Sequence, residues 1–263
     1  MLNIAIQAVK KTRQFTVDSY NSAKIFEIKT DKTLVTRTDL NVENQIRKFL
    51  SIKTPNIPIL GEEFGTDING NFNTGWVIDP IDGTRAFLYG VPLFSTLISY
   101  VENNEPLIGV ISFPALEKIF YASQGEGCWV QHGNNVPVKI SIVPNNEKKL
   151  QDSVISASGI HSTTFDRREG TKAYNLSNIV HTARDTIFIN DCYQHAMVSM
   201  GRIDAAIDTL MKPWDIAALI PCMRESGVVC ANLQGSREQL LYGGSLITAS
   251  SQSLLDELIY ALN

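Results

Sequence analysis

Histidine and cysteine are scarce, with four of each in 263 residues. The cysteines Cys128, Cys192, Cys222 and Cys230 form no C-x-x-C pair and share no zinc-like spacing with the histidines. That argues against a zinc module and leaves reduced, mostly buried thiols as the expectation. Basic clusters are missing too, and the net charge is −4. Nucleic acid and anionic membrane are therefore not expected partners. No apolar run approaches the roughly 20 residues that span a bilayer. The N-terminus has apolar positions at Leu2, Ile4, Ile6, Ala8 and Val9, without a charged lead-in or a small-residue cleavage site. It reads as a helix start rather than a signal peptide, so a soluble cytoplasmic protein is expected. Repeats and low-complexity tracts are absent.

What is present is an ordinary globular balance, 44% hydrophobic and 19% charged. The length suits one large domain or two intimate halves, 1–150 and 151–263. Periodicity predicts an amphipathic helix over 3–26, a loop at 30–33 carrying Lys32, and a helix capped near Thr38 that runs to about 50. Strands are predicted at 57–60 and 76–79, with a short helix at 83–88. A hairpin follows over 94–102 and 106–113, turned by Asn103-Asn104, then strands at 118–122 and 128–131. The second half reads as short buried strands at 154–157, 186–189, 203–207 and 246–249. Helical patterns lie at 194–201, 215–226 and 254–262. The pattern is helices with an antiparallel sheet first, then an α/β half.

The chemistry concentrates in residues 76–88, Trp-Val-Ile-Asp-Pro-Ile-Asp-Gly-Thr-Arg-Ala-Phe-Leu. An apolar run carries Asp79 and Asp82 to a Gly-Thr turn that opens a helix. Carboxylates attract hard cations such as Mg²⁺, and free N–H groups at a helix start attract an anion. Glu62 and Glu63 end another strand, and Trp214-Asp215 begins a later helix. A lone Asp is most often a cap or a turn residue. Several carboxylates set after apolar strands repel one another unless a cation neutralises them. The four histidines read as structural or solvated, and Trp76, Trp129 and Trp214 as core or site wall.

Glu62-Glu63, Asp79-Pro-Ile-Asp-Gly-Thr84 and Trp214-Asp215-Ile-Ala-Ala resemble, in order and spacing, the signatures of the inositol monophosphatase family. The resemblance implies an αβαβα layered sandwich and Mg²⁺-dependent hydrolysis of phosphate monoesters, with two or three ions. It implies Glu62, Asp79, Asp82, Asp215 and the Ile81 carbonyl as metal ligands, and Glu63 as support for a weaker metal. Thr84 and Asp39 match the pair that orients and deprotonates the attacking water. For Asp39 a plain cap beside Thr38 stays open. The Gly83 and Thr84 N–H groups would hold the phosphate, and Lys32 matches a loop lysine of the family. A homodimer is expected.

Three features depart from the inositol-type pattern: Asp191 in Asn-Asp-Cys-Tyr, Arg85, and Lys212-Pro213. They resemble the histidinol-phosphate phosphatase branch. Asp208, seven residues before Asp215, stands where inositol phosphatases carry a substrate-contacting Glu. Asp191, Asp208 and Asp215 are thus the candidate substrate contacts. Two carboxylates beside the leaving group suit a cationic alcohol such as histidinol, although Asp191 is also readable as a cap of the 194–201 helix. Inositol monophosphate is the alternative substrate. A protein-binding, transcription-associated role is the alternative of another class.

Overall fold

The computed structural model describes residues 1–22, 26–28, 34–165 and 173–263. Helix α1 (Leu2–Tyr20) buries Ala5, Ala8, Val9, Thr12 and Thr16 along one stripe. It stops at Tyr20, short of the expected residue 26. Asn21 and Ser22 cannot extend the stripe, and Phe26 already lies in an exposed strand, β1 (Phe26–Ile28), paired with β2 (Leu34–Thr36). Lys32 lies outside the described residues. Helix α2 (Arg37–Lys53) is capped by Thr36, not by Thr38. The Thr36 hydroxyl accepts the Asp39 N–H, and the Asp39 side chain accepts the Thr36 N–H, a reciprocal capping box.

An eight-stranded sheet follows. It is built from β3 (Ile59–Gly61), β4 (Gly65–Thr66), β5 (Gly75–Asp82), β6 (Ser95–Glu102), β7 (Glu105–Phe113), β8 (Lys118–Ser123), β9 (Gly127–His132) and β10 (Val138–Ile140), in the order β10-β9-β8-β7-β6-β5-β3-β4. Helix α3 (Thr84–Tyr89) leaves the end of β5. Asn103 and Asn104 both take positive φ, as a tight hairpin turn requires. The sheet is mixed rather than wholly antiparallel, because β3 and β5 run parallel. After the edge hairpin β3–β4, residues 67–74 carry the chain back, and it enters β5 in the direction of β3.

The second sheet has the order β12-β11-β13-β15-β14. Its strands are β11 (Val154–Ala157), β12 (Asp185–Phe188), β13 (Ala205–Asp208), β14 (Val229–Ala231) and β15 (Leu246–Ala249). Helices α4 (Leu176–Thr182), α5 (Tyr193–Ser199), α6 (Pro213–Ala217), α7 (Leu219–Glu225) and α8 (Gln252–Leu262) accompany it. The helical pattern over 215–226 is thus two helices. Pro221 has no N–H to return to the Ala217 carbonyl, and that carbonyl lies 3.1 Å from Ser99 Oγ instead. At the same junction the Ala218 carbonyl presses so close to Gly109 that a β-carbon there would overlap it.

Three apolar cores separate five layers. Helices α1 and α2 pack Ala8, Val9, Ile46 and Leu50 on Trp76, Ile98 and Val110 of the first sheet. Its other face (Leu97, Ile111, Phe120) meets α5, α6 and α7, which also cover Ala206 and Leu246 of the second sheet. The outer face of that sheet packs Ile155, Ile207 and Ile247 on α4 and α8. This is the αβαβα sandwich anticipated from the resemblance. All four cysteines are free and buried, and among the described residues no helix is long and apolar enough to cross a membrane.

Candidate active site

Register brings the acids together. The parallel ladder pairs Gly61 with Ile78, and the Glu62 N–H donates to the Ile78 carbonyl at 3.1 Å. Glu62 therefore leaves β3 beside Asp79. The β5–β6 ladder shifts between Asp79 and Asp82, so both carboxylates leave the strand end instead of alternating across the sheet. The Thr96 hydroxyl holds the Pro80 carbonyl inside that shift at 2.9 Å. Asp215 arrives from the start of α6, where Pro213 occupies the first turn. Carboxylate oxygens of Asp79, Asp82 and Asp215 lie within 4.8 Å of one another.

Asp215 and Asp82 are each anchored through one oxygen. Asp215 Oδ2 accepts the Lys212 N–H at 2.7 Å. Asp82 Oδ2 accepts from Ser95 Oγ and from the Cys192 N–H, both at 3.1 Å. Asp79 Oδ1 is buried without a hydrogen-bond partner. Burial pushes the Asp79 carboxyl well above the usual carboxylate range, and the charges of Glu62, Asp82 and Asp215 push it further. Asp215 is raised by burial first and by Asp82 next, and Asp82 mainly by burial. An all-oxygen set of buried carboxylates that raise one another's pKa fits a hard divalent metal.

The turn after Asp82 opens a helix. Gly83 has φ +82, a left-handed conformation that glycine adopts without strain, and it hands the chain to α3. The Thr84 hydroxyl lies 3.2 Å from the Ile81 carbonyl and 3.3 Å from Asp39 Oδ1. Asp39 thus has both roles open to it in sequence: Oδ2 closes the α2 cap and Oδ1 faces Thr84. Burial raises its pKa, and its Thr36 contacts oppose that.

Asp191 stands across from the turn. Its Oδ2 is 2.6 Å from where a β-carbon on Gly83 would be. It does not cap α5, whose N-cap is Cys192 with no side-chain hydrogen bond. Burial raises Asp191 well above its ordinary range, with Asp82, Asp208 and Asp215 adding and Arg85 opposing. Burial lifts Asp208 to about 7. His195 is wholly buried, 2.8 Å from Thr248 Oγ1, and its pKa falls to about 3. It is a neutral core residue.

Sequence reasoning passed over the supporting shell: Thr36, Glu43, Arg47, Ser95 and Cys192. Two local signals were present: the Thr36-x-x-Asp39 spacing of a capping box and the i, i+4 spacing of Glu43 and Arg47.

The profile of the inositol monophosphatase family matches residues 1–263, and the chain belongs to that family and is a phosphatase of phosphate monoesters. It is 35% identical over 260 residues to a histidinol-phosphatase of Chlorobaculum parvum, covering 95% of this chain and 92% of that one. It is 32% identical to an inositol monophosphatase of Dictyostelium discoideum, covering 97% and 95%. The fold matches that of an IMPase from Thermotoga maritima with a TM-score of 0.82 at 26% identity, over 99% and 95% of the two chains.

Proposed function

We propose that the protein hydrolyses the phosphate monoester of a small cationic alcohol, histidinol phosphate, with Mg²⁺ as cofactor. The observation that carries the substrate is the seat of Asp191, whose carboxylate lies against Gly83 with Asp208 near enough to raise its pKa. Two acids there would be stabilised as anions by an ammonium, whereas an uncharged alcohol would offer them hydroxyl hydrogen bonds only. The histidinol-phosphatase relative supports the same reading.

Glu62, Asp79, Asp82 and Asp215, with the Ile81 carbonyl, would hold two or three ions, and Glu63 would support the weakest. A metal held there would supply a water of lowered pKa, from about 15.7 toward roughly 7, and a positive charge beside the leaving oxygen. The chain's own groups do the rest. The Gly83 and Thr84 N–H groups bind and orient the phosphoryl oxygens. The Thr84 hydroxyl donates to Asp39 and so turns its lone pairs to the attacking water. Asp39, whose basicity burial raises, takes the proton. Asp191 and Asp208 hold the alcohol, and Asp215 borders it.

The inositol 1-monophosphate reading has the Dictyostelium relative on its side, but it leaves Asp191 and Asp208 facing an uncharged alcohol. No observation among the described residues favours the protein-binding reading. The test is phosphate release, with and without Mg²⁺, from histidinol phosphate, inositol 1-phosphate, fructose 1,6-bisphosphate and phosphoadenosine phosphate. Histidinol phosphate should lead by at least tenfold in kcat/KM. A lead for inositol 1-phosphate overturns the substrate assignment.

A further inference from the structure

One face of α2 carries ionisable side chains at four-residue spacing: Asp39, Glu43 and Arg47. Side chains so spaced lie one above another on a helix. Asp39 belongs to the site already described. Glu43 is 0% exposed, a position a carboxylate occupies only when paired and hydrogen-bonded. Its Oε1 pairs with Arg47 Nε at 2.7 Å and accepts the Phe64 N–H at 3.3 Å. Its Oε2 accepts the Glu63 N–H at 2.7 Å. Arg47 Nη2 donates to the Gly65 carbonyl. The ion pair therefore grips residues 63–65 of the turn between β3 and β4.

The glycine ahead of the two glutamates has the same cause. A β-carbon on Gly61 would overlap Glu43 Oε1, so only glycine lets the helix side chain reach the turn. Glu62 keeps its N–H on the β5 ladder, while the next two N–H groups turn to Glu43. The Glu62 carboxylate thus leaves the chain between a strand that fixes one side of it and an ion pair that fixes the other. It acts on Asp79 and Asp215 across the cluster.

We propose that the buried Glu43–Arg47 pair is a positioning device for Glu62, setting the turn so that the Glu62 carboxylate completes the metal site. This rests on the reading of Glu62 as a metal ligand. The test measures Mn²⁺ binding to the metal-stripped full chain by titration calorimetry, alongside kcat and KM. The variants are Glu43→Gln, Arg47→Lys, Glu62→Gln and the double variant Glu43→Gln/Glu62→Gln. Glu43→Gln sets an amide N–H against main-chain N–H groups. It should weaken Mn²⁺ by roughly 10–100-fold, the usual cost of losing a partner that orients a ligand. It should lower kcat and leave KM for substrate within about twofold. Arg47→Lys keeps a cation beside Glu43 but cannot span Glu43 and Gly65 together. It should show a smaller loss of the same kind, and it carries the test should Glu43→Gln fail to fold. The double variant should bind Mn²⁺ no more weakly than Glu62→Gln, because both changes act through one ligand. Parental Mn²⁺ affinity in folded Glu43→Gln or Arg47→Lys, or additive losses in the double variant, would overturn the positioning role. Parental affinity in Glu62→Gln would instead refute the ligand assignment on which it rests.

Discussion

At the scale of single residues, the proposed division between metal binding, water activation and substrate grip predicts three separable behaviours. Asp82→Asn should abolish activity by orders of magnitude in a folded chain, since Ser95 and Cys192 can still anchor the side chain. Full activity in that variant would remove Asp82 from the metal site. Thr84→Ala deletes the hydroxyl and keeps the N–H, so kcat should fall far more than substrate affinity. Asp39→Asn should behave alike, and the pair should be non-additive because the two side chains touch at 3.3 Å. A rise confined to KM would make the Thr84 hydroxyl a binding group. Asp191→Asn should lower kcat/KM for histidinol phosphate about tenfold or more, since about 1.4 kcal/mol is one decade and a charge-assisted contact contributes about 1.5–3 kcal/mol. Inositol 1-phosphate hydrolysis should change little, and equal losses on both would reduce Asp191 to a shaper of the Gly83 turn.

At the scale of elements, the cap of α2 separates the sequence reading from the structure. Both Thr36 and Thr38 can cap a helix, and sequence alone favoured Thr38. The structure uses Thr36, because only that choice sets Asp39 at the third helical position, where it returns the hydrogen bond. Thr36→Ala should therefore cost about 1 kcal/mol, roughly 2–4 °C in Tm for a chain of this size. It should also lower kcat by loosening Asp39, while Thr38→Ala should do neither. The reverse order in a melting series would return the cap to Thr38. The same contrast explains what was legible. Long periodic elements were readable: the 94–113 hairpin, its Asn-Asn turn and the last helix are close to where the pattern put them. The strands β10 and β14 have three residues each, and α4 has seven. Each repeats its burial period fewer than two full times, too little to stand out from its surroundings, and pattern alone passed over all three. The acids were legible because motif residues are contiguous. Glu43 was not, because the main-chain groups it holds lie 20 and 21 residues away.

At the scale of the whole molecule, the acid cluster couples folding, metal and pH. Carboxyls with raised pKa keep protons in the folded state that the unfolded chain releases above the ordinary value of 3.8. Their contribution to stability is complete below that value and is lost as pH rises through the raised one. For Asp208 that window closes at about 7. Glu257, lowered by its contacts with Leu150 and Lys149, works in the opposite sense in acid. The absolute Tm therefore mixes both signs, and the difference between metal-loaded and metal-free protein isolates the cluster. On the proposed reading Mg²⁺ would bind the deprotonated acids only, and an ion at 100 times its Kd stabilises a fold by about 2.7 kcal/mol. The Tm gap between Mg²⁺ and EDTA should thus widen as pH rises above the ordinary carboxylate value of 3.8 and through the raised values of Asp79 and Asp215, then level off. Asp79→Asn should narrow the gap at high pH and raise the Tm in EDTA, because it removes a buried carboxylate that its neighbours repel. A gap independent of pH, measured by calorimetric melting in matched buffers, would mean that the ions bind somewhere other than these carboxylates.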